Sequence, residues 1–269
     1  RPALRGAFAV VLTLFVVGSA HRSLLYQDER DLWQAELAQN PESFRGWWGT
    51  GACQMRHGNH VLAVAPLERA HELYPEHHDA LRNLLEALVA LQDEQAMPER
   101  SMAVGAKLLQ RSPDDPWVRT LVVQAKLQAA RLSGDDALWS SAEQMALSCL
   151  EIAKPKGYVY RLAARARHGL GDVEGALQHL NTSVERGLKT IDVQFDRARL
   201  LHELGRTREA RTVIFELQRK HPTDPRIIGA LRFFAKPHEP SKAVVPLAPV
   251  VAPQPAASSA TAKPSPPPK

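Results

Sequence analysis

Histidine offers the most obvious chemistry in this sequence: His57 with His60, and His71 with His77 and His78, lie close enough along the chain to share a metal ion. Neither set has the spacing of a recognised ligand motif, and His57 and His60 flank a Gly-Asn turn, so no metal is expected. Cys53 and Cys149 stand nearly a hundred residues apart without a CxxC partner. That excludes a structural zinc site and implies no disulfide framework; both read as small core residues. The patterns GxxxxGK[ST], GxGxxG, HExxH, GxSxG and DxD do not occur. Phosphate-cradling, zinc-hydrolase and serine-hydrolase chemistry therefore lack their minimum parts, and the chain reads as a non-enzyme with no cofactor and no small-molecule substrate.

The charge balance points the same way. A sequence pI near 9.4 and a net charge of +5 would fit a nucleic-acid binder if the charge were concentrated on the fold. From Lys236 onward, however, there are four Lys and one Glu, so three of the five surplus charges sit in the last segment. The remainder is almost neutral, and nucleic acid is not an expected partner.

Three segments differ in kind. Residues 6–20, GAFAVVLTLFVVGSA, carry no charge; residues 41–235 are mixed and helix-friendly; residues 237–269 hold ten of the twenty prolines and no aromatic side chain. The uncharged run spans roughly 22 Å as a helix at ~1.5 Å per residue. With Ala3 and Leu4 before it, Leu24, Leu25 and Tyr26 after it, and Arg5 and Arg22 able to snorkel, residues 3–25 are expected to cross a membrane within a segment 1–26. A secretory signal peptide cleaved after Gly18-Ser19-Ala20 is the competing reading and a buried core helix the third. A sequence opening on Arg1 reads as a piece of something longer, of which this helix would be the last span. The weak excess of Arg before the run favours an extracytoplasmic, periplasmic position for the central part of the chain. Residues 236–269 are expected to be a disordered Pro/Ala-rich tail, a spacer by default.

The middle repeats itself. Gly171 and Gly205 are 34 residues apart, as are Ala176 and Ala210; Gly58 and Ala63 have the same five-residue offset. A glycine closing one helix and an alanine where the next crosses it most tightly define a two-helix unit that cannot bury its apolar stripe alone. LRNLLEALVAL and VRTLVVQAKLQAARL supply that stripe, with apolar residues at i, i+3, i+4 and i+7.

This pattern resembles the tetratricopeptide repeat family. Residues 44–77 place Trp47, Gly51, Gly58, Ala63, Leu67, Ala70 and Pro75 at the family's preferred positions; 157–190 and 191–224 match less completely. The units between are degenerate: 78–115 carries extra residues near Gln95 to Glu99, and 116–156 has an expected stretched turn over 131–136. The resemblance implies an all-α, right-handed solenoid over 44–235, about five hairpins with a cap over 225–235 and Asp224 as its N-cap. A linker helix over 27–43 precedes it. Trp47 is expected in the core and Trp33 against the first repeat. Pro66, a turn inside a helix, is expected to kink it or shift its start.

A second resemblance covers HRSLLYQDERDLWQAELAQNPESFRGWWGTG. With its preceding apolar run and Leu32-Trp33, it is similar to the junction in TMTC-like and bacterial proteins joining a multi-spanning glycosyltransferase-type region to C-terminal repeats. That would make the chain the regulatory or recognition end of a membrane enzyme whose catalytic part is elsewhere.

The repeat resemblance also implies where a protein or peptide partner would sit, because the first helix of each hairpin lines the concave face. The inward positions supply Arg45, Trp48, Arg82, Tyr158, Arg161, Arg165, Phe195 and Arg199 as candidate partner-binding residues; aromatic and Arg side chains are the usual anchors. Arg161 and Arg165 lie one turn apart on one helix face and, with Arg199, are expected to hold an acidic stretch. Trp48 and Ala52 replace the Lys and Asn with which members of the family grip chaperone C-terminal carboxylates, so that ligand class is not expected.

Overall fold

The computed structural model describes residues 12–13, 15–18, 29–150 and 156–234. Among them the chain is helical throughout, without a β-strand. A first helix, α1 (Glu29–Gln39), leads into five hairpins: α2 (Phe44–Arg56) with α3 (His60–Leu73), α4 (His78–Val89) with α5 (Pro98–Arg111), α6 (Pro116–Ser133) with α7 (Asp136–Ser148), α8 (Lys156–Gly169) with α9 (Val173–Glu185), and α10 (Ile191–Glu203) with α11 (Thr207–Lys220); α12 (Pro225–Phe234) closes the stack. Each helix packs on the next in the chain, and the first helices of neighbouring hairpins also touch, α2 on α4, α4 on α6 and α6 on α8. The result is the all-helical solenoid that the resemblance implies.

The turns show why glycine recurs. Gly58, Gly171 and Gly205 all have left-handed backbones, with φ of 75°, 80° and 75°. Such a residue lets the two N–H groups after the helix turn back onto its last carbonyls. Gly58 N donates to Met55 O at 2.9 Å and Asn59 N to Gln54 O at 2.9 Å; the turns at Gly171 and Gly205 repeat both bonds. Five residues on, Ala63, Ala176 and Ala210 are completely buried. The core runs on through Leu67, Leu81, Leu85, Leu88, Leu108 and Leu121 to Leu162, Leu180, Leu200, Ile214 and Ile227, all fully buried. Each contributes about 1.5–3 kcal/mol of burial.

Four features differ from the sequence-based expectation or refine it. The third hairpin has no stretched turn. Its extra residues lengthen α6, which runs through Ser133 to Gly134 (φ 70°), and Asp135 caps α7 by accepting from Ala137 N at 2.8 Å. In the second hairpin the additional residues form a 3-10 turn, Asp93–Gln95, ahead of Pro98 at the first turn of α5. Pro66 neither breaks α3 nor delays its start at His60. The carbonyl it leaves unpaired belongs to Leu62, whose side chain is 61% exposed, so that side of the helix faces solvent. Trp47 is half-buried rather than in the core, and its Nε1 donates to the Pro41 carbonyl at 2.8 Å. The inner position goes to α1 instead: Trp33 and Leu37 lie on Gly49 and Gly46, where a side chain would collide with them.

At the far end Asp224 Oδ1 accepts from Arg226 N at 2.9 Å, and Ile227 and Phe234 fill the last layer of the core. Of the expected membrane span, residues 15–18 are helical with Phe15, Val16 and Val17 exposed; the rest of 3–25 lies largely outside the described residues, and the tail expected over 236–269 wholly so. Among the described residues no helix is long and apolar enough to cross a membrane.

Candidate partner-binding face

The first helices of the hairpins present their inward side chains at helical spacing. α2 carries Arg45 and Trp48, α4 carries Arg82 and Glu86, α8 carries Tyr158, Arg161, Arg165 and His168, and α10 carries Phe195 and Arg199. The structure gives these side chains different surroundings.

Arg45 is exposed. Trp48 is stacked on Phe44 with ring centres 6.2 Å apart, has His77 at 5.3 Å, and leans on the apolar core. His77 itself caps α4, its Nδ1 accepting from Ala80 N at 3.1 Å, while His57 Nδ1 lies 2.8 Å from the Cys53 carbonyl. These two histidines serve helix ends. Arg82 reaches Asp79 at 3.0 Å on a partly exposed surface. Phe195 is half-buried against the C-terminal core.

The C-terminal candidates converge. Arg161 donates through Nε and Nη2 to Asp196 Oδ2 at 3.1 and 3.0 Å, with both side chains at most 5% exposed. Arg161 is thus committed to an internal ion pair, which takes up the guanidinium expected to face a partner. Arg165 and Arg199 also act on Asp196, and Arg131 of α6 on Arg165. Burial pushes the Arg165 guanidinium down to about 10, against the pull of Asp196. Burial also raises the Asp196 carboxyl, against the opposing pull of Arg161, Arg165 and Arg199. His168 Nε2 lies 2.9 Å from Glu203 Oε2, and Glu203 in turn acts on Arg199. Tyr158 is 5% exposed, and burial pushes its phenol well up.

Several residues of this face escaped the sequence reading. Gln124, Gln128 and Arg131 lie at i, i+4 and i+7 of α6, three polar side chains along one stripe of the helix. That spacing was the available signal. Gln128 Nε2 donates to the Leu91 carbonyl at 3.2 Å, tying α6 to the end of α4. Four further polar atoms have no hydrogen-bond partner among the described residues although they are buried: Gln124 Nε2, Tyr158 Oη, and Arg199 Nε and Nη2. Glu86, facing Tyr158 from α4, has its carboxyl raised by burial, with Arg82 opposing.

Residues 29–77 match the tetratricopeptide repeat family, so α1, expected as a linker, falls within the match. A thermophilic tetratricopeptide repeat protein of Thermus thermophilus superposes with a TM-score of 0.61 at 16% identity, covering 72% of this chain and 99% of that one. A tetratricopeptide repeat protein from Parabacteroides merdae gives 0.61 at 11% identity, covering 81% and 80%. This is a tetratricopeptide-repeat-type solenoid. A chain of the APC/C hetero-tetramer Cut9–Hcn1 shares the fold with a TM-score of 0.53 at 16% identity, covering 79% of this chain and 40% of that one. No curated protein matches the sequence. Solenoids of this repeat type are generally protein-interaction scaffolds.

Proposed function

We propose that this chain is a membrane-tethered, non-catalytic scaffold that binds an extended segment of a protein partner along the face built by α4, α6, α8 and α10. The observation that carries the reading is the row of buried polar atoms on that face without partners among the described residues. A buried donor that finds no acceptor costs about 1–3 kcal/mol, and a bound peptide, rich in carbonyls, would recover it. The solenoid architecture supports the same reading, since stacked hairpins form one continuous surface long enough for a peptide. The relative seen in a hetero-tetramer works as part of an assembly. The tether rests on the uncharged run of residues 6–20, and the periplasmic side on the arginines before it.

The junction of residues 21–51 favours a second reading, in which the same face serves as the recognition end of a multi-spanning membrane glycosyltransferase. Both readings place partner binding on the same face. They part on what lies upstream of Arg1: further apolar spans support the enzyme.

Selection of a random peptide library displayed on phage against the full chain tests the shared claim. Enriched peptides are expected to lose binding when Phe195→Ala and Arg165→Ala are combined. Peptides that bind the double variant as well as the parent chain, or an absence of enrichment, would overturn it.

A further inference from the structure

The partnerless polar atoms on this face are almost all donors. Gln124 contributes an amide N–H, Tyr158 a hydroxyl, and Arg199 two guanidinium N–H groups; Gln128 Oε1 is the matching acceptor without a partner among the described residues. The charges around them lean the same way. Arg131 faces the cluster from α6, Arg161 and Arg165 from α8, and Arg199 from α10; against these stand Glu86 on α4, and Asp196 and Glu203 on α10. Asp196 is already engaged by both Nε and Nη2 of Arg161, and Glu203 by His168. Asp196 and Glu203 are therefore engaged, and Glu86 is the acid left facing Tyr158, while donors on Arg199 and Tyr158 remain without an acceptor among the described residues.

A fold needing Arg199 only for its own stability would have little reason to bury its Nε and Nη2 without an acceptor among the described residues. Like charges held together in a partly dry site repel, and each guanidinium loses hydration there. Guanidinium groups recognise carboxylates through paired N–H donors, and an exchange of water for a carboxylate is most favourable where the site is already desolvated.

Building on the peptide-binding reading above, we propose that the partner segment is acidic: side-chain carboxylates dock at Arg199 and beside the Tyr158 hydroxyl, and Gln124 donates to the peptide backbone. Arg161 and Asp196 then act as positioning residues that hold α8 and α10 at the spacing the ligand needs, without touching it.

Fluorescence anisotropy of the full chain with labelled octaglutamate, octaglutamine and an oligothymidylate of equal charge tests this. Octaglutamate is expected to bind, to weaken with added salt, and to bind at least about ten-fold more weakly to Arg199→Gln, the loss of one charge-assisted donor pair. Tyr158→Phe, which keeps the ring, is expected to weaken it by a smaller factor of about three. A melting temperature for Arg199→Gln at or above that of the parent chain separates loss of ligand contact from loss of fold. Octaglutamine binding as tightly as octaglutamate would overturn the acidic class while leaving the peptide-binding face intact. Oligothymidylate binding as tightly would reduce the site to a general polyanion surface and overturn the proposal. Octaglutamate failing to bind, or binding Arg199→Gln undiminished, would also end it, and the phage selection separately decides whether the face binds peptides at all.

Discussion

The two halves of the solenoid share a hairpin design and differ in what they bury. Around α4 to α6 the interior between first helices is built mainly from apolar side chains, Leu81, Leu84, Leu85 and Leu88 of α4 with Val118, Leu121 and Val122 of α6, and Gln128 bonds the Leu91 carbonyl at its edge. Around α8 and α10 the corresponding layer contains an ion pair, a buried histidine and further arginines, with Ala164, Val193 and Ala198 beside them. Both layers hold neighbouring hairpins together, so the apolar solution shows that charge is not required for stacking. Buried ion pairs are often no more stabilising than well-packed hydrophobic residues in their place. The charged layer is then better understood as kept for what it presents than for what it contributes to stability.

The largest effect should come from the apolar half. Leu85→Ala removes a fully buried side chain and is expected to cost about 3 kcal/mol, read as a fall in the midpoint of denaturant unfolding. A value below about 1 kcal/mol would mean that this layer is far more plastic than its burial indicates. In the charged half, Asp196→Ala leaves Arg161, Arg165 and Arg199 without their shared carboxylate and is expected to cost about 3 kcal/mol. Replacing Arg161 and Asp196 together by Leu should restore most of that loss, converting this layer to the type found around α4. A double variant as unstable as Asp196→Ala would show that the two layers are not interchangeable. The smallest effect belongs to Glu86, at the boundary between the halves. Burial raises its carboxyl above the ordinary value of 4.5, so the folded chain holds this proton more tightly than the unfolded one. Stability is therefore lost as pH rises through the folded value. Glu86→Gln should melt slightly higher than the parent chain at neutral pH, with the advantage vanishing below about 4.5; an advantage that persisted there would remove ionisation as its cause.

Much of this architecture was legible in the residues. Gly58, Gly171 and Gly205 announce their turns because a left-handed helix closure excludes most other side chains, and Ala176 and Ala210 announce the crossings, where both are completely buried. The third hairpin was harder. Arg131, Leu132 and Ser133 have no strong local preference, and only packing of α6 on its neighbours decides that they stay helical. Trp47 differs for a related reason: Trp33 packs on the first repeat as expected, but its residue type alone does not show that it takes the inner place, on Gly49, and leaves Trp47 half-buried. The interior pair was missed because Asp196 sits next to Phe195, the position taken as inward-facing, and its partner is 35 residues away. That distance is itself a signal. His168 and Glu203 are also 35 apart, and Asp192 and Arg226 are 34 apart. Hydrogen-bonding side chains of complementary type separated by one repeat length stand at the same height on adjacent first helices, or on α10 and the cap, and can be sought in any sequence whose period is known.

The bond from Arg161 to Asp196 crosses from the fourth hairpin to the fifth, and that has a mechanical consequence. In an array held by apolar contacts alone, the end unit can fray away and leave its neighbour whole. Here, peeling off the last hairpin would strip Arg161 of its carboxylate inside the unit left behind, so the two should come loose as a single block, and the array has one fewer place to break.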